Sequence, residues 1–288
     1  MKIGAIIIFY NPDPTLAPKV VDNVSRQVDE VCVVDNSEDD NKSLLHDGIV
    51  YKPLHGNKGI AAAQNIAIKH FEGKGFDYII SADQDTTIPD GTVGNLLRTA
   101  EDLKANGIEV GAVTPVGIDH NSGKPFTYKI TKLKDLDIDG HHLIEVYQTM
   151  NSMSLIPVKM FQEVGGMDER LFIDGVDSEW CWRATAKTGA RFFYDKDVVM
   201  THQFGSATHN IGGHDVHITP PRRMYYQYRN FIWLSHLPYV PKRWSRINAF
   251  KYFIKIFYYT IKGPQRRSYI TNIFRGIRDG LKKKYQLK

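Results

Sequence analysis

The sequence predicts an α/β protein: a mixed, mostly parallel sheet flanked by helices, followed by a C-terminal appendage of basic amphipathic helices. Three observations predict it. Short apolar runs alternate with helical patterns through the first half, as they do when strands are joined by helices lying on the faces of a sheet. Polar residues able to do chemistry stand just after those runs, at the strand ends where such sheets hold ligands. Charge divides sharply along the chain. Lys242 to Lys288 holds fourteen Lys or Arg against one acid, Asp279, for a net +13. The other 241 residues carry 23 basic and 31 acidic side chains, for a net −8.

Strands are expected at Ile3–Tyr10, Val31–Val34, Tyr78–Ser81 and Val110–Val113, with helices near Pro14–Gln27, Gly59–Phe71 and Pro89–Asn106 between them. Residues 117–140 are polar and weakly patterned, which predicts a loop with some edge strand. Tyr147–Ile156 follows, then a short helix near Val158–Val164 and a helix from about Ser178 to Lys187. Strands are expected near Arg191–Tyr194 and Val198–Thr201. Residues 202–221 hold four histidines among few apolar residues, the composition of an active-site loop. Farther on, Phe250, Phe253, Ile254, Phe257, Tyr258 and Ile261 recur at helical spacing, with Lys251, Lys255 and Lys262 on one flank. A second helix repeats the scheme with Ile270, Ile273, Phe274, Ile277 and Leu281 before Lys282-Lys283-Lys284. Aromatic-rich basic helices of this kind lie on anionic membrane surfaces. The alternative is packing on the body or on another subunit, which would make a homo-oligomer.

Composition narrows the class. With 42% hydrophobic and 11% aromatic residues in 288, a large core is available and wholesale disorder is excluded. Two cysteines, Cys32 and Cys181, make no disulfide framework. An acidic body with a basic tail argues against a general nucleic-acid binder. The chain opens on a strand without a leader pattern and contains no run of eighteen apolar residues. The expectation is a cytoplasmic protein, peripheral at the inner face of the cell membrane.

Asp83 and Asp85 follow the apolar run Tyr78-Ile79-Ile80-Ser81-Ala82. Two carboxylates at the mouth of a strand can hold Mg²⁺ or Mn²⁺ against a diphosphate, with phosphate oxygens and water completing the shell. An Asp-x-Asp can equally cap a helix. Asp35 ends Val31-Cys32-Val33-Val34 and either nucleates a turn with Asn36-Ser37 or meets a base or ribose. Asn57-Lys58-Gly59, followed by Ala61 to Asn65, puts small residues in a first helical turn, which permits close approach to a nucleotide or to the sheet. Asp174, Asp177 and Glu179 lead into Trp180-Cys181-Trp182. Acidic residues suit a helix N-terminus, but a carboxylate beside apolar bulk is also what a general base needs. His202 is a candidate third metal or phosphate ligand, and the spacing of His209, His214 and His217 matches no closed zinc pattern. Asp135-x-Asp137-x-Asp139-Gly140 opens like a calcium loop but lacks the glutamate at its twelfth position, Val146, so a solvated loop is expected.

These residues, in this order, resemble glycosyltransferase family 2, and within it the rhamnosyltransferases that use dTDP-L-rhamnose. The resemblance spans residues 1–235. It rests on Phe9-Tyr10-Asn11-Pro12, Val34-Asp35-Asn36-Ser37, Asn57-Lys58-Gly59 with Ala61 to Asn65, and Asp83-Gln84-Asp85. Further matches are Gly165-Gly166-Met167-Asp168, Leu171-Phe172-Ile173-Asp174, Asp177-x-Glu179-Trp180, His202 and Arg229-Asn230. It implies a GT-A catalytic domain over 1–235, with a nucleotide-binding half at 1–115, an acceptor-binding half at 116–235, and an appendage at 236–288.

Carried over, it implies that Asp35 contacts the nucleobase, Asp83 the ribose or metal, and Asp85 the metal, with His202 a further ligand. Tyr10, Asn11, Asn57, Gly59, Asn65 and Arg229 would complete the donor site, Arg229 stabilising the leaving nucleotide. Ser152, Asp174 and Trp180 would meet the acceptor, a glycan or lipid-linked glycan. Asp177 aligns with the base of a single-displacement, inverting transfer. The family's usual Glu-Asp there reads Val176-Asp177, so Glu179 is a rival, and a Ser-Gly pair reads Ser152-Met153. A UDP-hexose donor would keep the fold and mechanism. A sugar-phosphate nucleotidyltransferase would share the sheet and metal logic, but the chain lacks the Gly-rich, Arg/Lys-bearing loop such enzymes place after the first strand.

Overall fold

The computed structural model describes residues 1–119, 131–202, 208–211, 214–217, 219–261 and 265–282, excepting the side chains of 119, 201, 202, 208–211 and 214–217. Eleven strands are described: β1 Ile3–Phe9, β2 Glu30–Asp35, β3 Val50–Pro53, β4 Tyr78–Asp83, β5 Val110–Asp119, β6 Lys132–Ile138, β7 His141–Val146, β8 Leu155–Pro157, β9 Arg191–His202, β10 Thr208–Ile211 and β11 His214–His217. The helices are α1 Ala17–Ser25, α2 Ile60–Phe71, α3 Thr92–Ala105, α4 Val158–Val164, α5 Val176–Thr188, α6 Pro221–Ser235, α7 Lys242–Ile261 and α8 Arg266–Lys282.

Nine strands form one sheet in the order β3-β2-β1-β4-β8-β5-β9-β7-β6. The first four are mutually parallel, β5 and β9 are parallel, and β8, β7 and β6 join antiparallel to their neighbours. Alternation along β1 sets the two layers. Ile3, Ala5, Ile7 and Phe9 pack with α1 and α3, through Val20, Val24, Leu96 and Leu103. Ile6 faces the opposite side, where Ala61, Ala63, Ala67, Phe71 and Trp180 bring in α2 and α5. Helix α2 lies close to the sheet because Gly4 has no side chain: a Cβ there would stand 2.5 Å from the Phe71 ring.

Several expectations are corrected. The calcium-like segment is a β-hairpin: Ile138 pairs with His141 across Asp139-Gly140, both at positive φ (49° and 82°), the geometry of a tight two-residue hairpin turn. The two strands expected at 191–201 are one, β9, interrupted where the register jumps from Pro115–Asp195 to Val116–Val199. Proline lacks the N–H a ladder needs, so the irregularity falls where it costs least. Strand β5 continues six residues past the expected Val113. Within Tyr147–Ile156, to which the sequence assigned no element type, residues 147–154 form a loop and Leu155 and Ile156 open β8. Strand β3 and helix α6 were not expected at all. Residues 202–221, expected as a loop, contain the β10–β11 hairpin.

The C-terminal helices pack on the body. Met224, Tyr228, Tyr259, Tyr269 and Ile273 form a third core. Helix α8 lies tightly against α6 because Gly276 and Gly280 carry no side chain: a Cβ on Gly276 would stand 2.5 Å from the Tyr225 carbonyl oxygen. Ile273, placed by the sequence on a membrane stripe, is wholly buried. Among the described residues, no helix is long and apolar enough to cross a membrane.

Candidate active site

Parallel pairing brings three strand ends to one edge of the sheet. Phe9 stands opposite Asp35, and Ile8 opposite Asp83. Beyond that edge lies a cavity of about 340 Å³ lined by Tyr10, Asn57, Gly59, Asp83, Asp85 and Phe172, among others. Side-chain hydrogen bonds shape its rim. Tyr10 N–H donates to Gln84 Oε1 (2.8 Å) and Gln84 Nε2 donates to the Tyr10 carbonyl (3.2 Å). Asn11 (φ 45°) donates its N–H to Ser37 Oγ (2.8 Å). Asn36 Oδ1 accepts from Lys58 N–H (2.7 Å), and Asn57 Oδ1 accepts from Gly59 N–H (2.9 Å) and from Asn36 Nδ2 (3.2 Å).

Asp35 stands behind this rim. Its carboxylate accepts from Ser37 N–H, Asn41 N–H, Asn41 Nδ2 and the Tyr51 hydroxyl at 2.6 to 3.1 Å. Burial alone would raise its pKa, but these hydrogen bonds outweigh burial and hold it below the usual carboxylate range. The turn-forming reading is the one these hydrogen bonds bear out, and Asp35 itself is not among the residues lining the cavity.

Asp177 occupies the first turn of α5, where the helix dipole favours a charged carboxylate. Its pKa is nevertheless pushed up to about 7. Burial of the carboxyl is the largest cause and the nearby charge of Asp83 the next, while a hydrogen bond from the Asn151 backbone pulls the other way. Part of the residue's surface is still accessible. Asn151 is shared: it lines the cavity with Asp83 and Asp85, and also a small pocket beside Asp177, Trp180 and Cys181. Its carbonyl accepts from Ser81 Oγ on β4, which ties the 147–154 loop to the strand bearing Asp83. The sequence reading passed over Asn151 and Gln84; polar residues beside a candidate motif were the available signal.

Glu179 points away from the cavity. It is 1% exposed, accepts from Arg183 Nε (2.8 Å) and Nη2 (3.0 Å), and accepts from the Tyr239 hydroxyl (2.7 Å). Three hydrogen bonds, two of them from Arg183, engage this carboxylate, and it is not among the residues lining the cavity. Glu179→Gln should therefore cost about 2–3 kcal/mol of stability, below the range for a fully buried pair because Arg183 keeps some contact with water. Per folded molecule, turnover should stay within about threefold of wild type. A loss of a hundredfold or more, about the size of a general-base effect, would return Glu179 to contention.

Five further candidates, Asn65, Arg229, Trp180, Ser152 and Asp174, are not among the residues lining the cavity. Asn65 donates to the Met167 carbonyl (3.0 Å) and Glu169 Oε1 (2.8 Å) and accepts from Met167 N–H (2.7 Å), pinning α2 to the loop after α4. Arg229 is nearly buried; its Nη2 donates to the carbonyls of Arg170 (2.8 Å) and Leu171 (2.9 Å), and its guanidinium lies 4.3 Å from the Trp233 ring centroid. A guanidinium so occupied stands in the wall of the site and does not face a phosphate. Trp180, 1% exposed, donates its indole N–H to the Gly165 carbonyl (2.9 Å) and packs on Phe161 and Phe192. Ser152 is buried. Asp174 forms a bidentate pair with Arg223 (2.9 and 3.1 Å) at the start of α5. His202 closes β9, and its side chain lies outside the described residues, as do those of His209, His214 and His217.

Among the described residues, no three His, Cys, Asp or Glu side chains gather as a metal-binding group. Asp83 and Asp85 do line one cavity together. Two hard carboxylate donors with open space before them fit a cation that completes its shell with substrate phosphates and water.

The profile of "Glycosyl transferase family 2" matches residues 5–162. The chain is 32% identical over 252 residues to dTDP-rhamnosyl transferase RfbF of Shigella flexneri, covering 83% of this chain and 82% of that one. Among solved structures, it is similar to Staphylococcus aureus TarS (TM-score 0.53, 13% identity), covering 97% of this chain and about half (49%) of that one. TarS 1-349 in complex with UDP-GlcNAc superposes with a TM-score of 0.55 at 16% identity, covering 97% and 81%. GalNAc-T7 with UDP, GalNAc and Mn²⁺ gives 0.56 at 14% identity, covering 92% and 58%. At these identities the structures speak for the fold, which is of the GT-A type. The matched profile and the relative together show that this chain belongs to glycosyltransferase family 2.

Proposed function

We propose that the protein is a metal-dependent, inverting glycosyltransferase that moves L-rhamnose from dTDP-β-L-rhamnose onto a hydroxyl of a cell-surface polysaccharide. The observation that carries the chemistry is Asp177: a carboxyl whose pKa is raised to about 7, beside Asp83 and next to the cavity where the strands end. The donor assignment is supported by the likeness to a protein named dTDP-rhamnosyl transferase. Residues 1–115 form the donor half, 116–235 the acceptor half and 236–288 an appendage.

Asp177 accepts the proton of the acceptor hydroxyl as that oxygen attacks the anomeric carbon. The bond to dTDP breaks on the opposite face, so a β-L donor yields an α-L-rhamnoside. A base with a pKa near working pH couples adequate basicity to a useful ionised fraction. The Asn151 backbone hydrogen bond orients the carboxylate. Tyr10, Asn57 and Gly59 shape the donor cavity, and Asp35 organises the turn against which the nucleobase would lie. A divalent cation, Mn²⁺ or Mg²⁺, held by Asp83 and Asp85 would supply the positive charge a diphosphate leaving group requires, since no Lys or Arg is among the described residues lining the cavity.

The test is dTDP release and sugar transfer by purified protein supplied with dTDP-L-rhamnose, UDP-glucose or UDP-GlcNAc, with Mn²⁺ or with EDTA. Release from the rhamnose donor alone, abolished by EDTA, is expected. With the rhamnose donor, kcat/KM should rise with pH along a single acidic limb as Asp177 of the free enzyme loses its proton, centred at or below about 7 because a cation on Asp83 would offset the charge that helps raise it. Preference for a UDP-sugar would overturn the rhamnose assignment while leaving the acid–base reading in place. A flat pH profile across that region would remove Asp177 from the role.

A further inference from the structure

Helix α7 has two apolar faces, and among the described residues only one of them is packed against the rest of the molecule. Tyr252, Ile256 and Tyr259 turn inward onto the core shared with α6 and α8. On the other side Phe250 is 66% exposed, Phe253 58%, Ile254 50%, Phe257 51% and Ile261 60%. Their spacing, i, i+3, i+4, i+7 and i+11, places all five on one stripe of an α-helix. Five large apolar side chains in a row at this exposure exceed the scattered surface hydrophobics of a soluble protein. Exposed cations accompany the stripe: Arg243 and Arg246 in the first turns of α7 and Lys251 along its flank. Helix α8 adds exposed Phe274 and Leu281 with Arg275, Arg278 and Lys282.

We infer that the outer face of α7 is a docking surface for an anionic phospholipid bilayer. The aromatic stripe would lie among the acyl-chain ends, and the cations would meet lipid phosphates. The charge of the segment decides between occupants. Lys242 to Lys288 carries +13, so a second copy presenting the same face would bring two strongly cationic surfaces together around the apolar contact. A negatively charged lipid surface complements both the apolar row and the charge. The inner face fixes the orientation. Lys255 Nζ donates to Gln227 Oε1 on α6 (3.3 Å), and Arg223 on the same helix holds Asp174 near the base. A docked α7 would therefore hold the catalytic cleft at a set distance from the bilayer, independently of which sugar is transferred.

The experiment is co-sedimentation of the full chain with vesicles of phosphatidylcholine alone and of phosphatidylcholine containing about one-third phosphatidylglycerol. Binding to the anionic vesicles only, weakened by raising the salt, is expected. The double substitution Phe253→Ser with Phe257→Ser should weaken binding by about tenfold or more. Because both side chains face solvent, thermal unfolding and donor turnover should stay unchanged, which separates loss of docking from loss of fold. Equal binding to neutral and anionic vesicles, or none to either, would overturn the inference. So would a wild-type dimer in sedimentation velocity that the double variant converts to monomer, which would make a second copy the occupant.

Discussion

Asp177→Asn is expected to lower sugar transfer by about a thousandfold or more, within the range for removing a positioned general base. Affinity for dTDP measured by calorimetry should change by no more than about threefold, because the cavity residues Tyr10, Asn57 and Gly59 are untouched. The same substitution should stabilise the metal-free protein at alkaline pH. The unfolded carboxyl titrates near 3.8 and the folded one near 7, so between these values the folded state binds more protons. Wild-type stability therefore falls as pH rises through that window and levels off above it. A shift of this size would correspond to about 4 kcal/mol if it were fully expressed, and partial solvent access reduces the expectation to about 1–2 kcal/mol. Asparagine has no such proton, so the gain in Tm should be small at pH 4 and largest at pH 8. Retained transfer, or a stability difference that ignores pH, would place the base elsewhere.

Gly59→Ala is expected to cost about 2–4 kcal/mol in urea unfolding, combining backbone strain with overpacking. Gly59 sits at φ 90° and ψ 156°, a region essentially reserved for glycine. A Cβ would stand 2.6 Å from the Phe172 ring and 2.8 Å from the Phe172 carbonyl oxygen. That carbonyl already accepts from Ile60 N–H (2.8 Å), so relief of the clash must move the backbone. Because Phe172 and Ile173 line the donor cavity, donor affinity should weaken as well, by about tenfold. Gly91→Ala is the comparison at similar φ (81°) but in the milder left-handed region (ψ −3°) and with nothing within 4 Å of its Cβ, and should cost only about 1 kcal/mol. Equal losses at both positions would mean that φ, and not the contact with Phe172, determines the effect.

Three of the four strands of the parallel front, β1, β2 and β4, were legible because they are Val/Ile runs closed by Asp or Asn, whereas β3, Val-Tyr-Lys-Pro, carries no such run; α4 matches its expected bounds residue for residue. The β6–β7 hairpin was legible in principle, since Asp139-Gly140 is a strong turn signal; the calcium-like spacing of the aspartates diverted attention from it. The interruption in β9 was not legible, because it depends on where Pro115 falls in a partner strand eighty residues earlier. Tyr10, Asp83 and Asp85 could be collected from sequence because strand ends share one edge, and Asn57 and Gly59 because small residues open α2. Asn65, Arg229 and Trp180 could not be excluded in the same way. An amide, a guanidinium or an indole N–H bonds a main-chain carbonyl as readily as a phosphate or a sugar, and only the fold shows which one stands in front of it.

Asn230 donates to the carbonyls of Leu171 (2.9 Å), Ile173 (2.7 Å) and Asp174 (2.8 Å), while its neighbour Arg229 holds Arg170 and Leu171. Helix α6 is thus a splice between the donor-cavity wall on one side and α8, seated on it through Gly276 and Gly280, on the other. The seam for building chimaeras accordingly does not lie at the covalent start of the tail near residue 236. A foreign tail grafted there would meet a helix cut to fit the original one. Exchanging α6 together with the tail would instead require loop 170–174 to travel with it, so the transferable cassette begins well inside the catalytic body.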